Sequence, residues 1–132
     1  MSSTLKSMMK QCRGLRGAIT VDRNEKSLIL NGSTQLLQTL IEKNDINVED
    51  IVSIFFSVTD DLDQTFPAAA ARTFGLTDTP LLCLNEIAVK GGLPYCIRIL
   101  MHVNTEKGQV DMRHCYLEGA KALRPDLSGV DD

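Results

Sequence analysis

Residues 81–104, LLCLNEIAVKGGLPYCIRILMHVN, predict the centre of a β-sheet. Two segments within them, residues 81–89 and 95–103, are rich in aliphatic residues, which is typical of buried strands. Gly91 and Gly92 lie between the two segments and permit the positive φ angles that a turn requires. The sequence therefore predicts two apolar strands joined by a Gly-Gly turn.

Arg98 lies inside the second of these segments, where almost every neighbour is apolar. A strand that is apolar on both faces is normally buried on both, and a guanidinium buried there keeps its charge and requires an anion. Glu86, in the first segment, is one candidate and would make a structural ion pair. A ligand carboxylate or a polarised ligand oxygen is the other candidate, and the residue types alone leave both open.

Length and composition favour one globular domain over residues 1–132. The hydrophobic fraction of 43% is enough for an ordinary core. A net charge of −3 disfavours nucleic acid or an anionic membrane as partner, and no run of residues is apolar enough to span a bilayer. Seven of the fourteen basic residues are arginines, which bind carboxylates in bidentate fashion. An anionic ligand would therefore need a local arginine pocket.

The four cysteines show no CxxC spacing, and the chain has only two histidines, so no metal site is expected. An even number of cysteines permits disulfides. No apolar secretory segment precedes them, however, which favours free thiols and a reducing cytoplasm. Cys96 and Cys115 lie among apolar residues and are predicted to be core thiols.

Residues 11–22 predict the first strand, in which Gly14 and Gly17 flank Arg16. Glycines inside a strand mark either a close approach of ligand or backbone, or a bulge. Arg16 is therefore a candidate anion-binding residue that faces inward.

Apolar residues three and four positions apart predict a helix over residues 25–43, with Asn24 as its N-cap. The later elements are a strand over residues 52–59, a short alanine-rich helix over residues 67–75 that Gly75 ends, and a strand over residues 110–116. Phe66 and Arg72 bracket the short helix, and they fit either a flat anionic ligand or a core phenylalanine beside a solvated arginine.

This order of elements predicts an α+β fold, with a single mixed β-sheet and helices on one of its faces. One long helix covers only part of such a sheet, so the uncovered face predicts association of subunits, for example in a small odd-numbered ring. Residues 1–10 are expected to be a loose N-terminal tail, and residues 117–132 a mobile C-terminal segment. Arg124, within that segment, is either a solvated charge or a clamp on a site.

RGLRGAITV, residues 13–21, resembles the N-terminal strand of the monofunctional chorismate mutases of the trimeric pseudo-α/β-barrel class. Further matches are TDDL at 59–62, FPA at 66–68, Arg72, CLNE at 83–86, GGL at 91–93, CIR at 96–98, RH at 113–114, YLE at 116–118 and LRPDL at 123–127. They cover residues 11–127 in order and with the family's spacing, which makes the resemblance highly specific. The all-helical chorismate mutases show no such resemblance.

The resemblance implies the Claisen rearrangement of chorismate to prephenate, a step in phenylalanine and tyrosine biosynthesis. It also implies a homotrimer with active sites at the subunit interfaces, and no cofactor or metal. Such a reaction requires a dianion held in a compact conformation and positive charge at the ether oxygen of the breaking bond.

The family's roles fall on matching residues of this chain. Arg98 would contact the ether oxygen and a carboxylate, Arg16 and Tyr116 would hold the side-chain carboxylate, and Glu86 and Cys83 would contact the ring hydroxyl. Arg98, Glu86 and Arg16 are the catalytic candidates. The other residues predicted to bind substrate are Phe66, Ala68, Arg72, Leu81, Leu82, Leu123 and Arg124. The family often has a lysine beside the wall alanine, where this chain has Ala69.

Strand parity adds one inference about two of these residues. Cys83 and Glu86 are three residues apart, so in a regular strand they point to opposite faces. They are therefore predicted to serve two different clefts of the trimer. The rival interpretation is another trimeric α+β class, the imine deaminases and metabolite-binding proteins, in which Arg98 would bind a keto acid or a regulator.

Overall fold

The computed structural model describes residues 9–124, which form one five-stranded sheet with two helices. The strands are β1 Gln11–Thr20, β2 Ile51–Val58, β3 Leu81–Asn85, β4 Cys96–Thr105 and β5 Cys115–Leu117. The helices are α1 Lys26–Lys43 and α2 Ala68–Phe74, with 3-10 helices at Val48–Asp50, Gln109–Asp111 and Glu118–Ala122. The strand order is β3-β2-β4-β1-β5; β4 is antiparallel to β1 and β2, while β3 and β5 run parallel to their neighbours. The predicted α+β fold with a mixed sheet is confirmed.

Both helices pack on the same face of the sheet, as predicted. Leu36, Leu37 and Leu40 of α1 are fully buried against strand residues such as Ile19 and Ile97 in one hydrophobic core. Along β4, residues with odd numbers enter this core, whereas Arg98, Leu100 and Asn104 are exposed on the other side. We call that second side of the sheet the open face, because neither α1 nor α2 covers it.

The two central apolar segments are joined by the predicted turn, with Gly91 at a φ of 82°. They do not form a hairpin, because β2 lies between β3 and β4 and pairs with both. β3 also ends at Asn85 rather than at residue 89. The Glu86 N–H still donates to the carbonyl of Val58, at 2.9 Å, but β2 ends at that residue and the ladder cannot continue.

The N-cap prediction for the long helix was wrong, whereas the C-cap prediction for the short helix was right. The cap of α1 is Glu25, without a side-chain hydrogen bond. Asn24 instead makes two hydrogen bonds with Asp63, one to its carboxylate at 2.7 Å and one from its backbone N–H at 3.1 Å. Gly75 caps α2 at a φ of 117°, in the left-handed region that glycine tolerates.

The last strand is shorter than the predicted residues 110–116. Residues 109–111 form a 3-10 helix, and pairing with β1 begins only at Cys115. Most of the predicted terminal segments, residues 1–8 and 125–132, lie outside the described residues. No helix between residues 9 and 124 has both the length and the apolar character needed to cross a bilayer.

Gly17 on β1 offers a test of how tightly α1 packs on the sheet. A Cβ there would lie 2.9 Å from Leu36 Cδ1 and 3.3 Å from the carbonyl oxygen of Cys115. We expect Gly17→Ala to lower the free energy of unfolding by about 1–3 kcal/mol through overpacking. The matched control is Gly14→Ala on the same strand, where a Cβ meets nothing within 4 Å, so the change should stay within about 0.5 kcal/mol. Urea denaturation at one fixed protein concentration measures both, and equal effects would contradict the packing.

Candidate active site

The open face contains a cavity of about 460 Å³ that is lined by residues of all five strands and by Glu86, just after β3. Arg98 on β4 and Arg16 on β1 line it, together with Glu86 and Tyr116. Arg98 lies opposite Ala18, and Arg16 opposite Leu100, in the antiparallel register. Both side chains therefore project from the same face, one diagonal step apart. Four of the residues predicted from the sequence meet in this cavity.

Glu86 holds the Arg98 guanidinium in place. Its Oε1 atom lies 3.0 Å from Arg98 Nε and accepts a hydrogen bond from Ser57 Oγ at 2.7 Å. The carboxylate can reach across because its own backbone is bonded to the last residue of β2. The structural ion pair, one of the two alternatives that the residue types left open, is thus present and orients the guanidinium. Arg98 also interacts with the Cys96 thiol.

Within one chain, the Arg98 side chain is not buried. Its side chain is 45% exposed and that of Glu86 is 22% exposed. In the single chain the sheet is covered mainly on its helix side, so burial of Arg98 on the other side stays a prediction for the assembled protein. An ion pair with this much exposure contributes at most about 1 kcal/mol, so its main effect is to orient the guanidinium.

A small apolar cluster closes one end of the open face. Ala18, Cys96, Tyr116 and Ala120 are buried there, and Leu123 packs against them. Burial raises the pKa of the Cys96 thiol, and the nearby Arg98 charge opposes that rise only in part. Cys96 is therefore a neutral packing residue at neutral pH, as the sequence predicted.

A second cavity, of about 450 Å³, lies on the other side of the Arg98–Glu86 pair. Its wall includes Leu123, one of the predicted substrate-binding residues, and the exposed loop residues Ile87 and Val89. Arg98 and Glu86 line both cavities, so the ion pair divides one larger depression on the open face.

The remaining predicted site residues do not line either cavity. Ala68 is buried in the core on the helix side, and Leu81 packs against that core. Phe66, just before α2, and Arg72, within α2, are both exposed. Leu82 is exposed on the edge strand β3. Arg124 follows the last 3-10 helix and acts electrostatically on His114. Arg124 directly follows Leu123, which lines the second cavity, whereas Phe66, Ala68, Arg72 and Leu81 lie away from both cavities of the same chain.

Cys83 and Glu86 point to opposite sides of the sheet, as strand alternation predicts. Cys83 pairs with Phe56 and packs against the core on the helix side. Glu86 reaches Ser57 and Arg98 on the open face. Within one chain the two side chains therefore cannot contact the same ligand.

Sequence reasoning missed Ser57 and Leu84, which line the first cavity. Ser57 is the only polar residue of the apolar segment 54–58, and Leu84 shares its parity with Glu86. Both signals were visible in the sequence. The sequence did not show, however, that β2 separates β3 from β4 and places Ser57 between Glu86 and Arg98.

The described residues 9–124 contain no group of three or more histidine, cysteine, aspartate and glutamate side chains arranged to hold a metal ion. No disulfide bond joins the four cysteines, all of which lie within the described residues.

Fold and cavity together define an α+β protein with an arginine-lined cavity on the open side of its sheet. The family model for chorismate mutase type I matches residues 12–127. Chorismate mutase AroH of Bacillus subtilis (strain 168) is 46% identical over 117 residues, which are 88% of this chain and 92% of that protein. Chorismate mutase AroH of Thermus thermophilus is 44% identical over 119 residues, which are 89% of this chain and 98% of that protein.

The fold comparison agrees with the sequence comparison. A solved chorismate mutase from Clostridium thermocellum superposes with a TM-score of 0.82 at 50% sequence identity, covering 83% of this chain and 97% of that one. This chain belongs to the chorismate mutase type I family, and its activity is that of this family of isomerases. The resemblance drawn from the motifs is confirmed.

Thiol labelling checks the closed end of the open face. Cys12 is exposed near the start of β1, whereas Cys96 is buried and the pKa of its thiol is raised. Because the thiolate is the reactive form, we expect an aromatic disulfide reagent at pH 8 to label Cys12 rapidly and to leave Cys96 unmodified until the protein unfolds. A Cys12→Ser variant identifies the fast site by mass spectrometry. Labelling of Cys96 as fast as that of Cys12 would contradict the structure.

Proposed function

We propose that the cavity on the open face converts chorismate to prephenate in a single pericyclic step. In that step the ether C–O bond breaks while a C–C bond forms, and no proton is transferred. The observation that carries this proposal is the Arg98 guanidinium, which Glu86 orients in a cavity that also contains Arg16. The substrate is a dianion, and two arginines meet its charge.

Arg98 is assigned the largest effect on rate. Negative charge grows on the ether oxygen only as the bond breaks, so a fixed cation aimed at that atom stabilises the transition state more than the bound substrate. The bond from Ser57 to Glu86 supports this role, because an ion pair that is itself anchored requires little reorganisation during the reaction.

The other residues select the conformation of the substrate. Arg16 and Tyr116 would bind the side-chain carboxylate, and Glu86 would accept a hydrogen bond from the ring hydroxyl. Holding both ends of the molecule favours the compact conformer in which the reacting carbon atoms are close. The binding contacts offset the loss of conformational entropy before the reaction begins.

A homotrimer would complete the site. Leu82, Leu84 and Leu100 are each at least 40% exposed on the open face, a pattern expected of a subunit interface. We propose that a second copy of this chain covers this face and supplies the opposite wall from the predicted residues that line neither cavity: Phe66, Ala68, Arg72, Leu81, Leu82 and Cys83. The proposed position of Cys83 in a neighbouring cleft agrees with its orientation away from Glu86.

Closure of the site would fall to the C-terminal segment. Leu123 lines the second cavity together with Arg98 and packs against the apolar cluster at its end, and Arg124 follows Leu123 in the chain. We place the enzyme in the cytoplasm, and four cysteines without a disulfide bond agree with a reducing compartment.

The direct test is the loss of the ultraviolet absorbance of chorismate when the purified protein is added, with prephenate identified by chromatography. Arg98→Ala is the matched control for a contaminating activity. Binding of chorismate without loss of absorbance would overturn the proposal and favour the metabolite-binding alternative.

A neutral isostere at Arg98 separates electrostatics from positioning. Replacing Arg98 with citrulline by semisynthesis keeps the shape and still provides hydrogen-bond donors, but it removes the charge. Loss of one transition-state donor typically lowers kcat on the order of 10²–10³, and we expect a drop at least that large with KM nearly unchanged. Steady-state kinetics measure both constants. A kcat close to that of the wild type would reduce Arg98 to a substrate clamp.

Subunit mixing tests whether each site has walls from two chains. We expect Arg98→Ala and Arg72→Ala homo-oligomers each to be poorly active. Refolding them together should restore both intact walls in about one site in four, by random association in a symmetric ring. Mixing Arg98→Ala with Arg16→Ala is the control, because both changes lie on the same wall and no site should recover. Absence of recovery in the first mixture, although mixed oligomers form, would rule out the shared site.

A further inference from the structure

The outer edge of β1 is completed beside Arg16 by side chains rather than by a strand. β5 pairs only with residues 17–19 of β1. At Gly14, the Gln109 carboxamide takes the place of a neighbouring backbone: it accepts the Gly14 N–H at 2.9 Å and donates to the Gly14 carbonyl at 2.7 Å. At Arg16, the backbone N–H donates to His114 Nδ1 at 3.0 Å.

The bond at Arg16 determines the chemical state of His114. Nδ1 can accept a hydrogen bond only when it carries no proton, so the ring is neutral and its proton is on Nε2. An imidazolium has two donors and no acceptor, and it would present an N–H to the N–H of Arg16. Protonation of His114 is therefore incompatible with this contact.

The surroundings of His114 favour the neutral ring. Its pKa lies below the ordinary value, first because the ring is partly buried and then because the cations Arg16 and Arg124 act on it. The sheet thus contributes Arg16, and the segment after the last 3-10 helix contributes Arg124. Helix α1 reaches this stretch through the neutral Asn44, whose side chain bonds to both backbone groups of Arg113 at 3.0 and 2.8 Å. Arg113, next to His114 in the chain, is a further cation.

The contact with His114 bears on the cavity through the geometry of β1. In a strand, the backbone N–H lies in the plane of the sheet, and the side chain of the same residue stands perpendicular to it. An anchored N–H at Arg16 therefore fixes the direction in which its guanidinium leaves the sheet, toward the cavity that it shares with Arg98.

We propose that His114 is a positioning residue for substrate binding: its neutral imidazole replaces the missing β-ladder partner of Arg16 and thereby aims the Arg16 guanidinium at the substrate carboxylate. This inference rests on the proposed role of Arg16. Neither His114 nor Gln109 lines the cavity, so both act through the backbone of β1.

The proposal gives the enzyme a pH dependence that its chemistry lacks. The pericyclic step moves no proton, so kcat should be flat through the neutral range. A histidine whose pKa is lowered in the folded protein remains neutral at pH 7 and gains its proton only below its ordinary value near 6.5. As the pH falls through that lowered pKa, the Arg16 anchor is lost, so KM should rise while kcat at saturation stays nearly constant.

The experiment compares kcat and KM between pH 5 and 8 in His114→Asn, His114→Ala and Gln109→Ala. The amide oxygen of asparagine lies near the position of Nδ1 and accepts a hydrogen bond without titrating. His114→Asn should therefore have a KM close to that of the wild type at pH 7.5, and this KM should not rise at low pH. His114→Ala should raise KM roughly threefold to tenfold at pH 7.5, as expected for loss of one neutral hydrogen bond. Gln109→Ala removes the neighbouring edge contact and should keep the pH dependence of the wild type.

Two further measurements separate this inference from the proposed function. Arg16→Ala tests the role of Arg16 by itself, and a wild-type KM in that variant would overturn both proposals. Nitrogen NMR of labelled histidine tests the anchor without activity, and it should show the Nε2–H tautomer at pH 7. A protonated Nδ1 there would overturn the anchor, as would a rise in KM at low pH that persists in His114→Asn. If His114→Ala does not fold, His114→Asn and the NMR spectrum still decide the question.

Discussion

The antiparallel register between β1 and β4 is the constraint on which the site depends. It sets Ala18 opposite Arg98 and Leu100 opposite Arg16, so both guanidinium groups leave the sheet on the open face. A shift of one residue in either strand would move its arginine into the core and its core residues onto the open face. Burial of Leu15, Ile19, Ile97 and Ile99 prevents that shift, because it would expose all of these side chains. The core therefore specifies the position of the charges.

Two cations one diagonal step apart repel each other, and the chain offsets this repulsion in different ways. Arg98 has Glu86 as a direct counter-ion, itself held by Ser57. Arg16 is instead anchored through its backbone N–H, and this bond does not involve the charged guanidinium. Under the proposed function, binding of the dianionic substrate would relieve the repulsion that remains in the free protein.

The strength of the electrostatic interactions on the open face depends on how much water reaches it. In one chain, water reaches the Arg98–Glu86 pair and screens it. A neighbouring subunit on the same face would exclude that water and increase the effect of each charge on the bound substrate. If the proposed trimer forms, assembly and catalysis would be linked through one surface, because exposed apolar side chains on it lie around the two arginines.

The sequence by itself determined the local elements and, through its motifs, the family. Periodicity located α1, apolar composition located four of the five strands to within a few residues, and Gly75 marked the end of α2. These features depend on neighbours along the chain. Motif spacing identified Arg16, Glu86, Arg98 and Tyr116, which the fold brings together. Alternation also separated Cys83 from Glu86, since the faces of a strand follow from residue number alone.

Only the tertiary structure decided which strands are neighbours. β2 lies between β3 and β4, and this arrangement ends β3 early, frees Glu86 to reach Arg98 and places Ser57 beside them. The short β5 likewise leaves the edge of β1 to Gln109 and His114, 95 and 98 residues away from their partners. Such contacts depend on pairing energies between segments distant in sequence, and local patterns contain no information on which of several compatible strands will pair.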